Sequence, residues 1–317
     1  MKILFMGTPA FAVASLARLL EAGHTVVGVF SQPDRPVGRS QTPTLPPVKQ
    51  FALQHHLPVH SPEKIRTEEM REMIERIIPD AIVVVAYGKI LPAWMLEKPS
   101  YGAINLHASL LPRYRGAAPI QWAVANGETR TGVTTIQMAA GLDTGDILLQ
   151  REVAIAPEDN AQTLHAHLSK LGAELLVESL AGILEGSILP RKQDDSIATW
   201  APILKKEDGR IDWNWPAKQI HNHVRGLNPW PGTFTTFRGK RLKVWKTEIV
   251  GVQENEVGFA RAVAAGTLIL TPHSPPQVLT REGDFLTLLE VQPEGHRRMS
   301  GVDFLNGLRI NSGERVG

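Results

Sequence analysis

Residues 81–86 of the chain read Ala-Ile-Val-Val-Val-Ala, an apolar run of strand length with no polar position. A strand with one face in water alternates apolar and polar residues, whereas a strand buried on both faces stays apolar throughout. The run therefore predicts a central strand of a parallel sheet that helices cover on both faces. The flanking sequence agrees, because strand-like runs alternate with helical patterns over roughly the first 185 residues.

This alternation predicts a doubly wound, Rossmann-like α/β domain with a parallel sheet. The predicted strands are residues 2–6, 25–30, 81–86, 104–107 and 133–138. The predicted helices are residues 11–22, 47–55, 68–78, 118–126 and 161–184. Such a domain binds its ligand beyond the carboxyl ends of the strands. We therefore expect the loops after Ala86, after His107 and around Asp143 to converge.

The composition changes after residue 189. Pro190, the charged cluster 191–195 and the run 205–209 predict a linker over residues 190–208. A short helical pattern follows at residues 217–225. Strand-like runs then recur, separated by Gly, Pro and Asn turns, at residues 233–237, 240–246, 266–270 and 285–291. This spacing predicts a small β-barrel domain over residues 209–317, after a first domain over residues 1–189.

The net charge of +2 is unevenly distributed along the chain. Residues 1–189 carry 16 basic and 18 acidic side chains, and residues 247–317 carry 6 and 9. Residues 190–246 carry 12 basic and 5 acidic side chains, a balance of +7, together with five of the seven tryptophans. A basic, aromatic-rich block is typical of a surface that binds a polyanion. A solvated face over a small tryptophan-containing core fits the composition equally well.

Composition also excludes several classes of protein. Hydrophobic residues make up 43% of the chain and charged residues 21%, which is typical of a globular protein. The absence of cysteine excludes disulfides and thiolate chemistry. No long apolar run or signal-peptide pattern is present, so we expect a soluble, cytoplasmic protein.

Histidine pairs could indicate a metal site. The three pairs are His55 and His56, His165 and His167, and His221 and His223. In a helix, residues one or two positions apart point in different directions, so the two histidines of a pair do not bind the same metal ion. The sequence therefore predicts no metal.

The segment after residue 104 carries a set of side chains suited to acyl chemistry. Asn105 and His107 are two positions apart, so in a strand they project from one face while Ile104 and Leu106 project from the other. Asp143 lies in a glycine-flanked loop between two β-rich runs. An amide can donate to a developing oxyanion, an imidazole can carry a proton, and a carboxylate can orient the imidazole.

Each of these residues alone has a plainer interpretation. A single Asn or His at a strand end more often satisfies local backbone groups than takes part in catalysis. Their combination with Ser-Leu-Leu-Pro at 109–112 and Leu-Asp-Thr-Gly-Asp at 142–146 favours a catalytic site. Ser109 lacks the glycines of a nucleophile elbow. Gly7-Thr8-Pro9 lacks the remaining glycines of a dinucleotide fingerprint, so this turn is interpreted as structural.

The runs NLHASLLPRYRGAAPIQWA at 105–123 and GLDTGDIL at 141–148 resemble the signature of the folate-dependent formyltransferases. Four further stretches resemble, within that group, the methionyl-tRNA formyltransferase family, and the resemblance covers nearly the whole chain. They are MGTPAFAVASLARLL at 6–20, QPDRPVGR at 32–39, AYGKILP at 86–92 and RIDWNWPAKQIHNHVRGLNPWPG at 210–232.

The resemblance implies formyl transfer from 10-formyltetrahydrofolate to the amino group of methionine on initiator methionyl-tRNA, without a metal. It also implies an OB-like barrel as the tRNA-binding C-terminal domain, and we expect a monomer. Asn105 and His107 are then the donors to the oxyanion, with His107 as proton carrier and Asp143 as its support. The expected folate-binding residues are Ser109, Leu110, Leu111, Pro112, Ala86, Tyr87, Gly88, Ile90 and Leu91. The expected tRNA-binding residues are Arg35, Arg39, Lys205, Lys206 and Arg210.

The segment 32–47 contains five prolines and no hydrophobic periodicity. Its residues alone fit a surface loop. The resemblance implies that it contacts the acceptor end of the tRNA through Arg39. The sequence departs from the often basic family pattern after Arg39, where it reads Ser-Gln-Thr-Pro-Thr at 40–44.

Two other functions remain possible at this point. A formyltransferase for a small amine, such as a ribonucleotide or an amino sugar, would share the residues around His107. The long C-terminal extension argues against the ribonucleotide enzyme. A nucleic-acid-binding protein with an idle α/β domain would share the basic block, but it would have no need of Asn105, His107 and Asp143 together.

Overall fold

The computed structural model describes residues 1–37, 42–250, 263–281 and 283–317. Contacts between residues divide the chain into two compact units. Unit 1 contains residues 1–119, 130–154 and 165–201. Unit 2 contains residues 120–129, 155–164 and 202–317.

Unit 1 is built around one mixed sheet. The strands of unit 1, seven of which form this sheet, are β1 (Lys2–Gly7), β2 (Thr25–Phe30), β3 (Arg35–Val37), β4 (Thr42–Thr44), β5 (Val59–His60), β6 (Ala81–Val85), β7 (Ala103–His107), β8 (Arg115–Gly116), β9 (Arg130–Gln137), β10 (Asp146–Ala154) and β11 (Trp200–Ala201). The helices of this part of the chain are α1 (Ala10–Glu21), α2 (Pro47–Gln54), α3 (Glu68–Ile77), α4 (Ala93–Glu97), α5 (Pro119–Ala125) and α6 (Ala161–Glu185). All five predicted strands and all five predicted helices are confirmed, within three residues at each end.

The seven-stranded sheet has the order β10-β9-β7-β6-β1-β2-β5. Strands β5, β2, β1, β6 and β7 run parallel, and every residue of β6 is buried. The chain leaves β1 towards β2 and β5, then returns to β6 on the other side of β1. This reversal is the switch point of a doubly wound sheet, so the Rossmann-like fold is confirmed.

The last two strands of the sheet run antiparallel to their neighbours. β9 pairs antiparallel with β7, and β10 pairs antiparallel with β9. Only residues 138–145 connect β9 to β10, and so short a connection permits a hairpin but no crossover. The β-rich run after Asp143 was not assigned strand bounds, because its second half carries Gln150, Arg151 and Glu152. The loop that carries Asp143 is thus a hairpin loop.

The helices cover the sheet through side chains that the 3.6-residue period places inward. Leu16 and Leu19 of α1 and Ile74 of α3 are fully buried. α3 begins where the Thr67 hydroxyl accepts a hydrogen bond from the Met70 amide. Among the described residues, no helix is long and apolar enough to cross a bilayer.

In its described residues after 202, unit 2 contains an antiparallel sheet and the helices α7 (Ala217–Gly226) and α8 (Gly301–Leu308). The strands are β12 (Thr233–Phe237), β13 (Lys240–Val250), β14 (Leu268–Ile269), β15 (Gln277–Leu279), β16 (Phe285–Pro293) and β17 (Met299–Ser300). The order is β12-β13-β16-β15-β14, with β17 beside β16. The predicted helix and four strands are confirmed, whereas β15, β17 and α8 were not predicted.

The edges of the unit 2 sheet are joined by residues near the end of the chain. Val316 forms a bridge with Phe237 of β12, and Arg315 forms a bridge with Thr267 beside β14. The Val316 amide donates to the Gly266 carbonyl at 2.9 Å, and the Gly317 amide donates to the Thr236 carbonyl at 3.0 Å. Each edge strand therefore has a backbone partner.

Candidate functional site

The loops at the carboxyl ends of β1, β2 and β6 are joined by hydrogen bonds. The Tyr87 carbonyl accepts from the Thr8 hydroxyl at 3.1 Å and from the Gln32 side-chain amide at 3.0 Å. The Gln32 backbone amide donates to the Thr8 hydroxyl at 3.4 Å. The Gly7-Thr8-Pro9 turn thus anchors the loop after β6, in agreement with its structural interpretation.

The loop after β6 offers backbone groups at this edge of the sheet. Ala86 and Gly88 have φ angles of 47° and 85°, in the left-handed region. Ile90 is 64% exposed, whereas Leu91 is 5% exposed. Tyr87 is buried, and this burial raises the pKa of its hydroxyl to about 12. The phenol therefore stays neutral at physiological pH.

Asn105 and His107 lie within the last three residues of β7, and His107 is its final residue. Their neighbours Ile104 and Leu106 are buried, as the strand alternation predicts. The Asn105 Oδ1 atom is buried and has no hydrogen-bond partner among the described residues. Buried polar atoms usually have a partner, so this oxygen has a free acceptor position that a donor on a ligand can complete.

The His107 ring contacts a carbonyl on one side and a carboxylate on the other. Its Nε2 atom lies 2.9 Å from the Tyr114 carbonyl oxygen. Its Nδ1 atom lies 3.7 Å from Oδ2 of Asp143, and only 8% of the imidazole side chain is exposed. A carbonyl oxygen can only accept, so Nε2 must carry a hydrogen. In the neutral ring, Nδ1 is then the unprotonated nitrogen.

Asp143 is held by the backbone of a neighbouring segment. Its Oδ2 atom accepts a hydrogen bond from the Gly116 amide at 2.8 Å, and its φ angle is 53°. A non-glycine residue with positive φ is uncommon and depends on surrounding contacts. The structure therefore brings His107 and Asp143 together, with Asn105 two residues before His107 on the same strand. It adds Tyr114 and Gly116, whose backbone atoms act as partners and which the sequence reasoning missed.

The side chains of residues 109–112 are mostly committed to contacts within the fold. The Ser109 hydroxyl donates to the Arg113 carbonyl at 2.6 Å, and Leu111 packs with Ile136 and Ile147. Ser109, Leu111 and Pro112 are buried, and Leu110 is half-buried. Leu110 is thus the most accessible side chain of this segment.

The predicted tRNA-binding residues that the structure describes are exposed cations. Arg35 lies on β3, which pairs antiparallel with β4 within the segment 32–47. Arg39 lies outside the described residues. Lys205, Lys206 and Arg210 are exposed in unit 2. Arg210 also lines a cavity of about 930 Å³ in unit 2, together with Trp213 and other residues. None of the predicted catalytic residues lines this cavity.

Unit 2 also carries cations stacked on aromatic rings, most of them within the basic block 190–246. Arg241 lies 3.6 Å from the centre of the Phe234 ring. Lys243 and Arg298 lie 5.3 Å and 4.8 Å from the centre of a Trp245 ring. We call these five residues the basic-aromatic face. They project outward from β12, β13 and the segment after β16, opposite to the buried Leu242 and Val244.

In the part of the chain that the structure describes, no group of three or more His, Cys, Asp or Glu side chains could hold a metal ion. His221 and His223 lie on α7, where burial lowers the pKa of both imidazoles. His165 contacts the Phe11 ring edge-on at 5.2 Å.

Comparison with known proteins assigns the family. The formyl transferase model matches residues 1–180, and the model of the formyl transferase C-terminal domain matches residues 203–309. The methionyl-tRNA formyltransferase of Solibacter usitatus is 53% identical over 317 residues, covering 100% of this chain and 99% of its own length. The chain belongs to the methionyl-tRNA formyltransferase family.

Other relatives agree with this assignment. The methionyl-tRNA formyltransferase of Geobacter metallireducens is 49% identical, over 100% of this chain and 99% of that protein. Among solved structures, an N-formyltransferase from Helicobacter canadensis, bound to folinic acid and dTDP-3-aminofucose, matches with a TM-score of 0.66. It is 19% identical and covers 92% of this chain and 99% of that chain, so the likeness shows the fold alone.

Proposed function

We propose that this chain transfers the formyl group of 10-formyltetrahydrofolate to the α-amino group of methionine on initiator methionyl-tRNA. One observation carries the chemistry. His107 is fixed by the Tyr114 carbonyl at Nε2, while Nδ1 faces Asp143 at 3.7 Å, and Asn105 lies two residues earlier on the same strand. Full-length relatives at about half identity support the substrates.

The tautomer of His107 determines its role. Its Nε2 hydrogen is held by Tyr114, so the proton that moves must move at Nδ1. The distance of 3.7 Å from Nδ1 to Asp143 exceeds a hydrogen bond, so the carboxylate does not occupy that nitrogen in this structure. A nearby negative charge still stabilises the imidazolium that forms when Nδ1 takes a proton.

The reaction needs one proton moved and one developing charge stabilised. The amine forms a bond to the formyl carbon and loses a proton, and the folate nitrogen leaves and gains one. His107 takes the first proton at Nδ1 and returns it to the leaving nitrogen. Asn105, and the Nδ1–H of the protonated His107, donate to the formyl oxygen while it carries negative charge. No residue has to form a covalent bond with the formyl group.

The remaining roles belong to the same proposal. The segment from Ala86 to Leu91, with Ser109 to Pro112, holds the folate. Arg35, Arg39, Lys205, Lys206 and Arg210 hold tRNA, and the basic-aromatic face adds charge and ring surface for RNA. The catalytic domain spans residues 1–189, the linker 190–208 and the tRNA-binding domain 209–317. The enzyme acts as a monomer in the cytoplasm.

The test incubates the full chain with 10-formyltetrahydrofolate and initiator tRNA charged with methionine, and measures formylmethionine after hydrolysis of the ester. Free methionine and a nucleotide-linked amino sugar serve as competing acceptors. Formylation of the charged tRNA alone is expected. Formylation of the amino sugar in its place would establish the small-amine alternative, and no formyl transfer to any acceptor would contradict the proposal.

A further inference from the structure

One short segment contacts both members of the His107 and Asp143 pair. The Tyr114 carbonyl accepts from His107, and the Gly116 amide donates to Asp143. Arg115 lies between them and is 4% exposed. A guanidinium cannot lose its charge, so a buried one needs partners that satisfy its donors.

The half-buried partner of Arg115 is Gln193. The Gln193 Oε1 atom accepts from Nε of Arg115 at 3.1 Å and from Nη2 at 2.8 Å. The other partner, Asp195, lies 2.7 Å from Nη2, but its side chain is 81% exposed. Solvent screens such an exposed contact, so Gln193 contributes more to fixing the guanidinium.

The other end of Gln193 holds the loop that carries Asp143. Its Nε2 atom donates to the Asp143 carbonyl and to the Gly145 carbonyl, both at 2.7 Å. The orientation of the amide is determined by its partners, because carbonyls need donors and a guanidinium needs an acceptor. Two contacts thus fix the backbone on both sides of Thr144, while Asp143 keeps its left-handed conformation.

We propose that Gln193 and Arg115 are positioning residues that fix the Asp143 carboxylate relative to Nδ1 of His107. Hydrogen bonds link His107 to Tyr114, Arg115 to Gln193, and Gln193 to the backbone of Asp143. The Gly116 amide, which donates to the Asp143 carboxylate, completes a closed path, because Tyr114, Arg115 and Gly116 are consecutive residues. This inference rests on the proposed function, in which Asp143 supports the protonated His107. Because these residues do not touch the reacting atoms, their loss should lower kcat and leave the KM values nearly unchanged.

The central variant is Gln193→Ala, with Gln193→Glu as its isosteric companion. Gln193→Ala removes both ends of the contact. Gln193→Glu keeps the acceptor for Arg115 but sets carboxylate oxygens against two carbonyls, so it loses the donation to the loop. Each should lower kcat about tenfold to a hundredfold, as misplacement of a supporting group does. Gln54→Glu makes the same change at an exposed glutamine of unit 1 and should leave kcat unchanged.

A double-mutant cycle separates positioning from a merely structural role. In an Asp143→Asn background, Gln193→Ala should cost less than threefold, because its effect passes through the lost carboxylate. Thermal melting of each variant is followed in parallel. Unchanged kcat in Gln193→Ala, or equal losses in both backgrounds, would overturn the positioning role. Formyl transfer by the unsubstituted chain is measured first, since its absence would contradict the proposed function and not this inference.

Discussion

The proposed catalytic site of unit 1 and the basic-aromatic face of unit 2 hold their charged groups in opposite ways. His107 is buried and only 11% of the Asp143 side chain is exposed, and backbone atoms of Tyr114 and Gly116 set the directions of both side chains. Arg241 and Arg298 are exposed and lie over aromatic rings. In the first region function depends on the direction of single atoms. In the second it depends on summed charge, which tolerates movement and responds to salt.

The largest effect is expected from breaking the buried pair. His107→Ala and Asp143→Asn should each lower kcat by about a hundredfold to ten-thousandfold, the range for groups that transfer or support a proton. The double variant should be little slower than the slower single variant, because the two residues act as a unit.

Asp80→Asn is the matched control for Asp143→Asn. Asp80 precedes β6 and accepts from the Lys2 amide at 2.6 Å, at the amino ends of the strands. The single-turnover rate of each of the four variants, the two single variants, the double variant and Asp80→Asn, is measured at saturating tRNA. Losses that multiply in the double variant would mean that His107 and Asp143 act independently.

A somewhat smaller effect is expected at the neutral donor of the same site. Asn105→Ala should lower kcat by about a hundredfold to a thousandfold, the loss typical of one oxyanion donor. Folate affinity, measured by fluorescence titration, should change much less, since the donation strengthens only as charge develops. Retention of half the turnover would remove Asn105 from the mechanism.

Charges of the basic-aromatic face should matter less individually and more at low salt. Lys243→Ala should weaken tRNA binding severalfold and reduce the slope of log Kd against log salt by about one. Turnover at saturating tRNA should stay the same. Lys170→Ala, at an exposed lysine of α6, is the control. A slope that does not change with Lys243→Ala would place the RNA elsewhere.

The smallest effect concerns stability in acid. Burial lowers the pKa of His223 below its ordinary value of 6.5, so the folded state binds this proton less readily than the unfolded chain. The loss of folding stability that the buried His223 causes is absent above pH 6.5 and grows as the pH falls below that value. The free energy of unfolding, measured in urea, should therefore differ less between pH 7.5 and pH 5.5 for His223→Gln than for the unsubstituted chain. His296→Gln, at an exposed histidine, should retain the full difference.

The two regions also differ in how far the sequence predicts them. The spacing of Asn105 and His107 was enough to place both on β7, because strand geometry fixes which residues share a face. The partners of these side chains are the carbonyl of Tyr114 and the amide of Gly116, and every residue carries such groups. Gln193 lies in a charged cluster that composition predicts to be a linker. Its contacts depend on the fold and leave no local pattern.

The basic-aromatic face was predicted as a composition and not as a geometry. Counting charges located the block 190–246 but not the ring on which each cation lies. Arg298 contacts Trp245 from outside that block, across a separation that only the pairing of strands explains. α8 was also missed, although Ser300 caps its first turn by accepting a hydrogen bond from the Asp303 amide.

The joining of the unit 2 sheet by Arg315 and Val316 has a consequence for synthesis of the protein. The ribosome synthesises β12 about eighty residues before it synthesises Val316, which forms a bridge with Phe237 of that strand. Until then β12 and β14 are open edges, which can pair with a second nascent chain. The sheet can be completed only after Val316 leaves the ribosome. A label or truncation placed at these residues would therefore be expected to promote aggregation during expression, even where catalytic residues are intact.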